Sequence, residues 1–207
     1  IHRTTHRTTH RTTDMAANRV ANRMTNRLNN VIARCLGVFV CLLLAGCLGS
    51  PEGVTAVNNF QLDRYLGRWY EVARLDHSFE RGLSNVTADY ALRDDGGIRV
   101  TNRGYSEEKG AWQDAEGRAY FMQDSAQGRL KVSFFGPFYG SYIIFELDES
   151  NYQYAFVAGN TTDYLWLLAR TPTIDEALKT HFIERADALG FDSSKLIFVD
   201  QTINKKL

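Results

Sequence analysis

Gly67-Arg68-Trp69-Tyr70-Glu71-Val72-Ala73-Arg74-Leu75 is the stretch whose reading decides the fold. Bounded by Gly67 and by a polar loop through His77, Glu80 and Gly82, it reads as a β-strand over Arg68–Leu75. Working outward, the same grammar repeats. Val86–Leu92 and Ile98–Arg103 flank Asp94-Asp95-Gly96-Gly97, whose residues tolerate positive φ and mark a hairpin. Further strands are predicted at Gly117–Met122, Leu130–Phe135, Ser141–Leu147, Tyr152–Ala158 and Tyr164–Arg170. Asp148-Glu149-Ser150-Asn151 and Gly159-Asn160-Thr161-Thr162 supply two of the turns. Eight strands joined in succession by short turns make an antiparallel meander, and closure into a barrel removes its two edges. One helix follows. Pro172 precedes Thr173, Glu176 completes a capping box with it, and Ile174, Leu178, Phe182, Ala186 and Leu189 form a single apolar stripe. Gly190 stops the helix. A single stripe places it against the outside of the sheet, and Leu196–Val199 is a short ninth strand.

Three ordered motifs carry a family resemblance: Gly67-Arg68-Trp69-Tyr70, then Thr162-Asp163-Tyr164, then Arg170. Between them, Leu92-Arg93-Asp94-Asp95-Gly96-Gly97, Val132-Ser133-Phe134-Phe135-Gly136-Pro137-Phe138-Tyr139 and Tyr164-Leu165-Trp166-Leu167-Leu168-Ala169-Arg170-Thr171-Pro172-Thr173 extend the match. From about Val54 to Gln201 the chain resembles the lipocalins, and within them the bacterial outer-membrane lipoproteins and apolipoprotein D. The resemblance implies an all-β, eight-stranded up-and-down barrel with a helix packed alongside. It implies that Trp69 plugs one end of the barrel while Arg170 stacks across it, a cation–π contact of about 0.5–2 kcal/mol. Gly67, Trp69, Asp163, Tyr164 and Arg170 are then structural positions rather than catalytic ones.

Side chains alternate faces along a strand. With Trp69 and Arg170 inward, Glu71 and Ala73 share the inner face of the first strand, and Leu168 and Trp166 that of the eighth. With the family register, Ala88 and Tyr90, Val100 and Asn102, Ala119 and Phe121, and Val132 and Phe134 are inward, with Tyr142, Ile144, Ala155 and Val157. Apart from Trp69, Glu71, Leu168 and Arg170, these are the candidate ligand contacts. Glu71 needs partners if buried, and it is expected near the closed end, bonded to Arg170 or to backbone groups. His77, Phe79 and Phe138-Tyr139 fall near the mouth, as a lid, a lipid contact or a dimer surface. Arg74, Arg81 and Arg103 are candidates to meet a headgroup phosphate or carboxylate there.

The N-terminal quarter reads differently. Residues 1–14 hold His-Arg-Thr-Thr repeats, expected to be a translated DNA repeat upstream of a start at Met15 or Met24. Residues 15–46 read as a secretory signal: Arg19, Arg23, Arg27 and Arg34 precede an apolar run that ends in Leu44-Ala45-Gly46-Cys47. That ending resembles a lipobox, which implies cleavage before Cys47 and acylation of its sulfur. Residues 47–59 then form the lipidated anchor and a tether, and residues 60–207 the lipocalin domain. Leu48 and Gly49 are not acidic, which by family analogy favours the outer membrane of a Gram-negative bacterium.

Composition agrees with an exported carrier. Cys35, Cys41 and Cys47 all lie at or before position 47, so the mature domain folds without disulfides. Seven of the 24 basic and one of the 24 acidic side chains precede position 48, which leaves 17 and 23 and a net charge of −6. This argues against nucleic acid as a partner. The function implied is binding and storage or transport of a fatty acid or lysophospholipid in the barrel. The alternatives are a structural envelope lipoprotein with a side-chain-filled barrel, or a lipocalin-type isomerase. No Ser-His-Asp set, metal-ligand cluster or cofactor motif is apparent, His77 and His181 are too separated to serve one nucleophile, and no cysteine remains in the barrel. The resemblance also raises a homodimer.

Overall fold

A computed structural model describes residues 48–203. The repeat, the signal segment and Cys47 lie outside the described residues. Strands β1 (Gly67–Leu75), β2 (Leu83–Leu92), β3 (Ile98–Ser106), β4 (Ala111–Phe121), β5 (Arg129–Ser133), β6 (Gly140–Leu147), β7 (Tyr154–Ala158) and β8 (Leu165–Ala169) each pair antiparallel with the next. β1 pairs with both β2 and β8, so the sheet closes. A short helix α1 (Leu62–Tyr65) lies ahead of β1 and was not anticipated; helix α2 (Glu176–Ala188) and strand β9 (Leu196–Phe198) follow the barrel.

Two apolar clusters divide at the barrel wall. The inner one gathers Trp69, Tyr90, Val100, Ala119, Ile144, Ala155, Val157 and Leu168, among others. The outer one joins alternate residues of the same strands, Phe145, Phe156, Leu165 and Leu167, to Phe182 and Ala186 of α2. The Phe182 ring meets Phe156 edge-on at 4.8 Å. His181 and Arg185 both bond to Glu146 of β6, pinning the polar flank of the helix. The helix begins one residue after Asp175, whose carboxylate accepts from the Leu178 amide at 2.8 Å. Thr173 is therefore not the cap and there is no capping box; an aspartate caps as well as a threonine, and this start sets Phe182 and Ala186 inward.

Alternation along β1 breaks once. Its register against β8 shifts between Glu71 and Ala73. The extra residue turns Val72 and Ala73 both outward, into the cluster beneath α2, and sends Arg74 inside. Ala73 is therefore not a cavity residue. β1 leaves β2 after Tyr70 and takes β9 at Ala73–Leu75 instead. Gln201 bridges the parting strands, its Nε2 donating to Glu71 O at 2.8 Å and Val86 O at 2.9 Å.

The stretch expected as a tether is laid along the wall. Gly49 O accepts from Ser141 Oγ, Val57 N donates to Ile144 O, and Phe60 N donates to Ala126 O. Val54 packs in the outer cluster and Phe60 in the inner one.

The closed end is built around Trp69 and Arg170. The indole is fully buried and donates to Tyr65 O at 2.7 Å. The Arg170 guanidinium lies 3.9 Å from the ring centroid. It also donates to Arg68 O and Arg64 O, each at 2.7 Å, and to Leu66 O at 3.0 Å. Gly67 has φ +88, and a Cβ there would meet Arg170 Nη1 at 3.7 Å. The left-handed backbone is what excludes other residues. Arg170→Lys keeps the charge but not the fork, and is expected to cost about 1.5–3 kcal/mol in urea unfolding. Phe182→Ala, which opens a cavity under α2, is expected to cost about 3–5 kcal/mol by the same measurement.

Candidate functional site

The site is the inner face of the barrel, built upward from its base. Above Trp69 the phenol of Tyr142 bonds to those of Tyr65 and Tyr90, each at 2.7 Å. Burial, with the neighbouring phenol of Tyr90, pushes the Tyr65 hydroxyl up; burial also raises those of Tyr90 and Tyr142. The trio is thus a neutral hydroxyl chain satisfied within itself.

The middle wall is apolar. Ala88, Tyr90, Val100, Ala119, Ile144, Ala155 and Val157 are buried in the inner cluster, with Phe121, Val132, Phe134, Tyr142 and Trp166 packed against them. Asn102, paired opposite Ala88, belongs to the same face, and its buried Oδ1 has no hydrogen-bond partner. The parity reading puts all of the candidates on the inner face; the structure has them there except Ala73, which lies in the outer cluster. Close packing shapes the wall: a Cβ on Gly117 would lie 2.9 Å from the Phe134 ring.

Towards the mouth the interior turns charged. Arg74 Nη1 donates to Glu71 Oε1 at 2.6 Å, and Nη2 donates to Glu80 O and Leu83 O. His77 Nε2 lies 3.1 Å from Glu80 Oε2, and Trp166 Nε1 donates to that same oxygen at 3.1 Å. All four charged or titratable residues are buried. Glu71 is therefore bonded to Arg74 near the mouth, not to Arg170 at the base, because the bulge carries Arg74 onto its side of the wall. Arg74 is engaged by Glu71 and two carbonyls rather than held out for a headgroup. Burial and the negative charge of Glu80 raise the Glu71 carboxyl well above the usual carboxylate range. Glu80 is opposed by burial too, yet His77 and Trp166 hold it below that range. Sequence reasoning took Glu80 as a loop residue; the His77-x-x-Glu80 spacing, with Trp166 inward, was the available signal.

The rim is aromatic. His77 stacks on Phe79 at 3.9 Å, and Phe79 and Trp166 each stack on Tyr164. Asp163, the neighbouring motif residue, accepts from Thr161 Oγ1 in the turn between β7 and β8. A separate cleft of about 470 Å³ lies outside the barrel beside the C-terminal end of α2, lined in part by Thr55, Asn58, Phe145 and Arg185. None of the candidate contacts lines it.

The raised Glu71 carboxyl has a signed consequence. Its contribution is fully present below the unfolded-state titration and is lost as pH rises towards the folded-state one. Glu71→Gln is therefore expected to gain stability relative to the parent as pH rises from 4 to 8. Glu80→Gln is expected to lose it over the same range. Urea midpoints at both pH values read the two opposite slopes.

The family model described as a lipocalin-like domain matches residues 60–201. Outer membrane lipoprotein Blc of Vibrio cholerae is 62% identical over 169 residues, covering 81% of this chain and 99% of that protein. The protein of the same name in Escherichia coli K12 is 56% identical over 151 residues, covering 73% and 85%. Apolipoprotein D of Mus musculus is 32% identical over 163 residues, covering 74% and 84%. Among solved structures, insecticyanin from the tobacco hornworm superposes with a TM-score of 0.59 at 21% identity, over 73% of this chain and 86% of that one, a likeness of fold alone. Closed barrel, stacked Trp69 and Arg170, outer helix and these matches agree: the chain belongs to the lipocalin family.

Proposed function

We propose that this lipocalin binds a fatty acid or lysophospholipid in its barrel, for storage or transport, while anchored to the outer membrane through an acylated Cys47. The observation that carries the reading is the inner face itself. It runs from the sealed indole to the mouth through aliphatic and aromatic side chains, with small alanines at 88, 119 and 155. Burying a long acyl chain against such a wall releases about 25 cal/mol per Å² of apolar ligand surface, enough for micromolar affinity without an ionic contact. The charged groups near the mouth pair off, Arg74 with Glu71 and His77 with Glu80, and the polar end of the ligand stays at the rim. The relatives from Vibrio cholerae and Escherichia coli bear the name outer membrane lipoprotein, which supports the location and the anchor. Lipobox acylation gives two or more chains on one residue, and a single chain would hold only marginally.

Nothing in the inner set makes a nucleophile–base pair. Its tyrosines are held neutral and its carboxylates bond to Arg74, His77 and Trp166, so a carrier accounts for the residues better than an isomerase.

Fluorescent fatty-acid displacement tests the reading. The protein is expected to bind lysophospholipid at micromolar concentration, and Trp166→Ala to weaken it roughly tenfold, about 1.4 kcal/mol. Absence of both binding and displacement would remove the proposal.

A further inference from the structure

The apolar middle of the inner face holds an amide that no neighbour meets. Asn102 stands at the centre of β3, and its Oδ1 is buried without a hydrogen-bond partner. The surroundings explain why. Val100 and Gly104 precede and follow it on the same face of β3, and Ala88 on β2 and Ala115 on β4 pair directly opposite. None of the four carries a polar side-chain atom. Polar groups nearer the two ends are engaged with one another: the tyrosine hydroxyls at the base, Glu71 with Arg74 and Trp166 with Glu80 towards the mouth. A buried amide oxygen without a donor costs the full desolvation of the group, and asparagine is a poor strand former besides. Leucine has the same branched outline and would carry neither cost.

We infer that Asn102 contacts the ligand and reads a hydroxyl on its acyl chain, so that the ligand class is a chain hydroxylated near its middle. This rests on the carrier reading above and names its substrate more closely. A hydroxyl both donates and accepts, so it can meet either atom of the amide; a ketone or an ether offers Oδ1 no donor. A chain lacking the hydroxyl leaves the oxygen unpaired, which is the condition under which a site discriminates against an analogue. Depth sets the hydroxyl's place. β3 runs on from Asn102 to Ser106, about 13 Å along the strand. With the tilt of barrel strands, that puts the amide about 10 Å below the mouth end of β3. A hydroxyl beside a carboxylate held at the rim stays short of it, and one at the far end of the chain passes it.

Displacement of a fluorescent fatty acid from the full-length chain tests this with stearate, 10-hydroxystearate and 2-hydroxystearate. The mid-chain hydroxyl is expected to tighten binding about fivefold over stearate, and the hydroxyl beside the carboxylate to leave it unchanged. Asn102→Leu is expected to fold with a higher urea midpoint and to bind stearate as the parent does. In that variant 10-hydroxystearate is expected to bind more weakly than stearate, its hydroxyl now buried without a partner. The comparison is run with free acids and with the matching lysophosphatidylethanolamines, and the class that shows the preference is the source of the chain. Equal or weaker binding of the mid-chain hydroxylated form in both classes overturns the proposal. So does a preference that survives Asn102→Leu, since an ordered water would then be the partner of the amide. The scan of hydroxyl position needs no variant, and it decides the matter even where Asn102→Leu fails to fold. Absence of binding by every chain removes the carrier reading and this proposal with it. Stearate bound without a hydroxyl preference removes this proposal alone.

Discussion

Everything above the base of this barrel depends on one guanidinium. Arg170 directly follows β8, and its guanidinium donates to the carbonyls of Arg64, Leu66 and Arg68, around α1 and the start of β1, and to that of Tyr152 ahead of β7. A short helix leaves its final carbonyls without internal partners. Arg170 supplies donors to them while its flat face covers the Trp69 ring. One side chain thus ties the last strand to the first, ends a helix and shuts the barrel. Lysine offers charge without the planar fork that reaches several acceptors at once.

A sealed base changes what the interior has to do. Polar groups within it cannot rely on water from below, and they are disposed accordingly. Three tyrosines bond hydroxyl to hydroxyl above the indole, and the charged side chains gather nearer the mouth. Two buried carboxylates share that upper region with one arginine and one histidine. Burial and mutual repulsion are relieved by keeping Glu71 towards its neutral form while Glu80 takes the donors. The wall between the hydroxyl chain and the charged cluster is left to aliphatic and aromatic groups. That separation suits a molecule with a long apolar body.

The bulge in β1 links this interior to the outside of the fold. By adding one residue it directs Arg74 inward and gives Val72 and Ala73 to the surface that α2 covers. It also coincides with the place where β1 departs from β2. Residues 196–203 occupy the opening: β9 pairs with β1, Val199 N donates to Val72 O, and Gln201 spans both strands. The ninth strand is therefore part of the closure. The 48–60 segment covers the wall on β5 and β6.

Nearly all of the inner face was legible only with the family register, while local chemistry in the sequence was sufficient for the strand order, the hairpin at Asp94–Gly97 and the outer helix. Each follows from alternation, turn residues or an apolar stripe, which are short-range properties. The indole–guanidinium pair was legible through the family motifs. What only the tertiary structure decided depends on contacts between distant segments. A bulge has no reliable mark in one strand, because it is set by register against β8, so Ala73 and Arg74 exchanged faces unannounced. Glu71 found Arg74 for the same reason, and Glu80 became an interior residue because His77, Trp166 and Arg74 converge on it across two elements. Thr173 and Asp175 are both competent caps, and the packing of Phe182 and Ala186 against the barrel selected the second. The 48–60 stretch has a spacer's composition, but its backbone groups found partners on a wall that exists only once the barrel has closed.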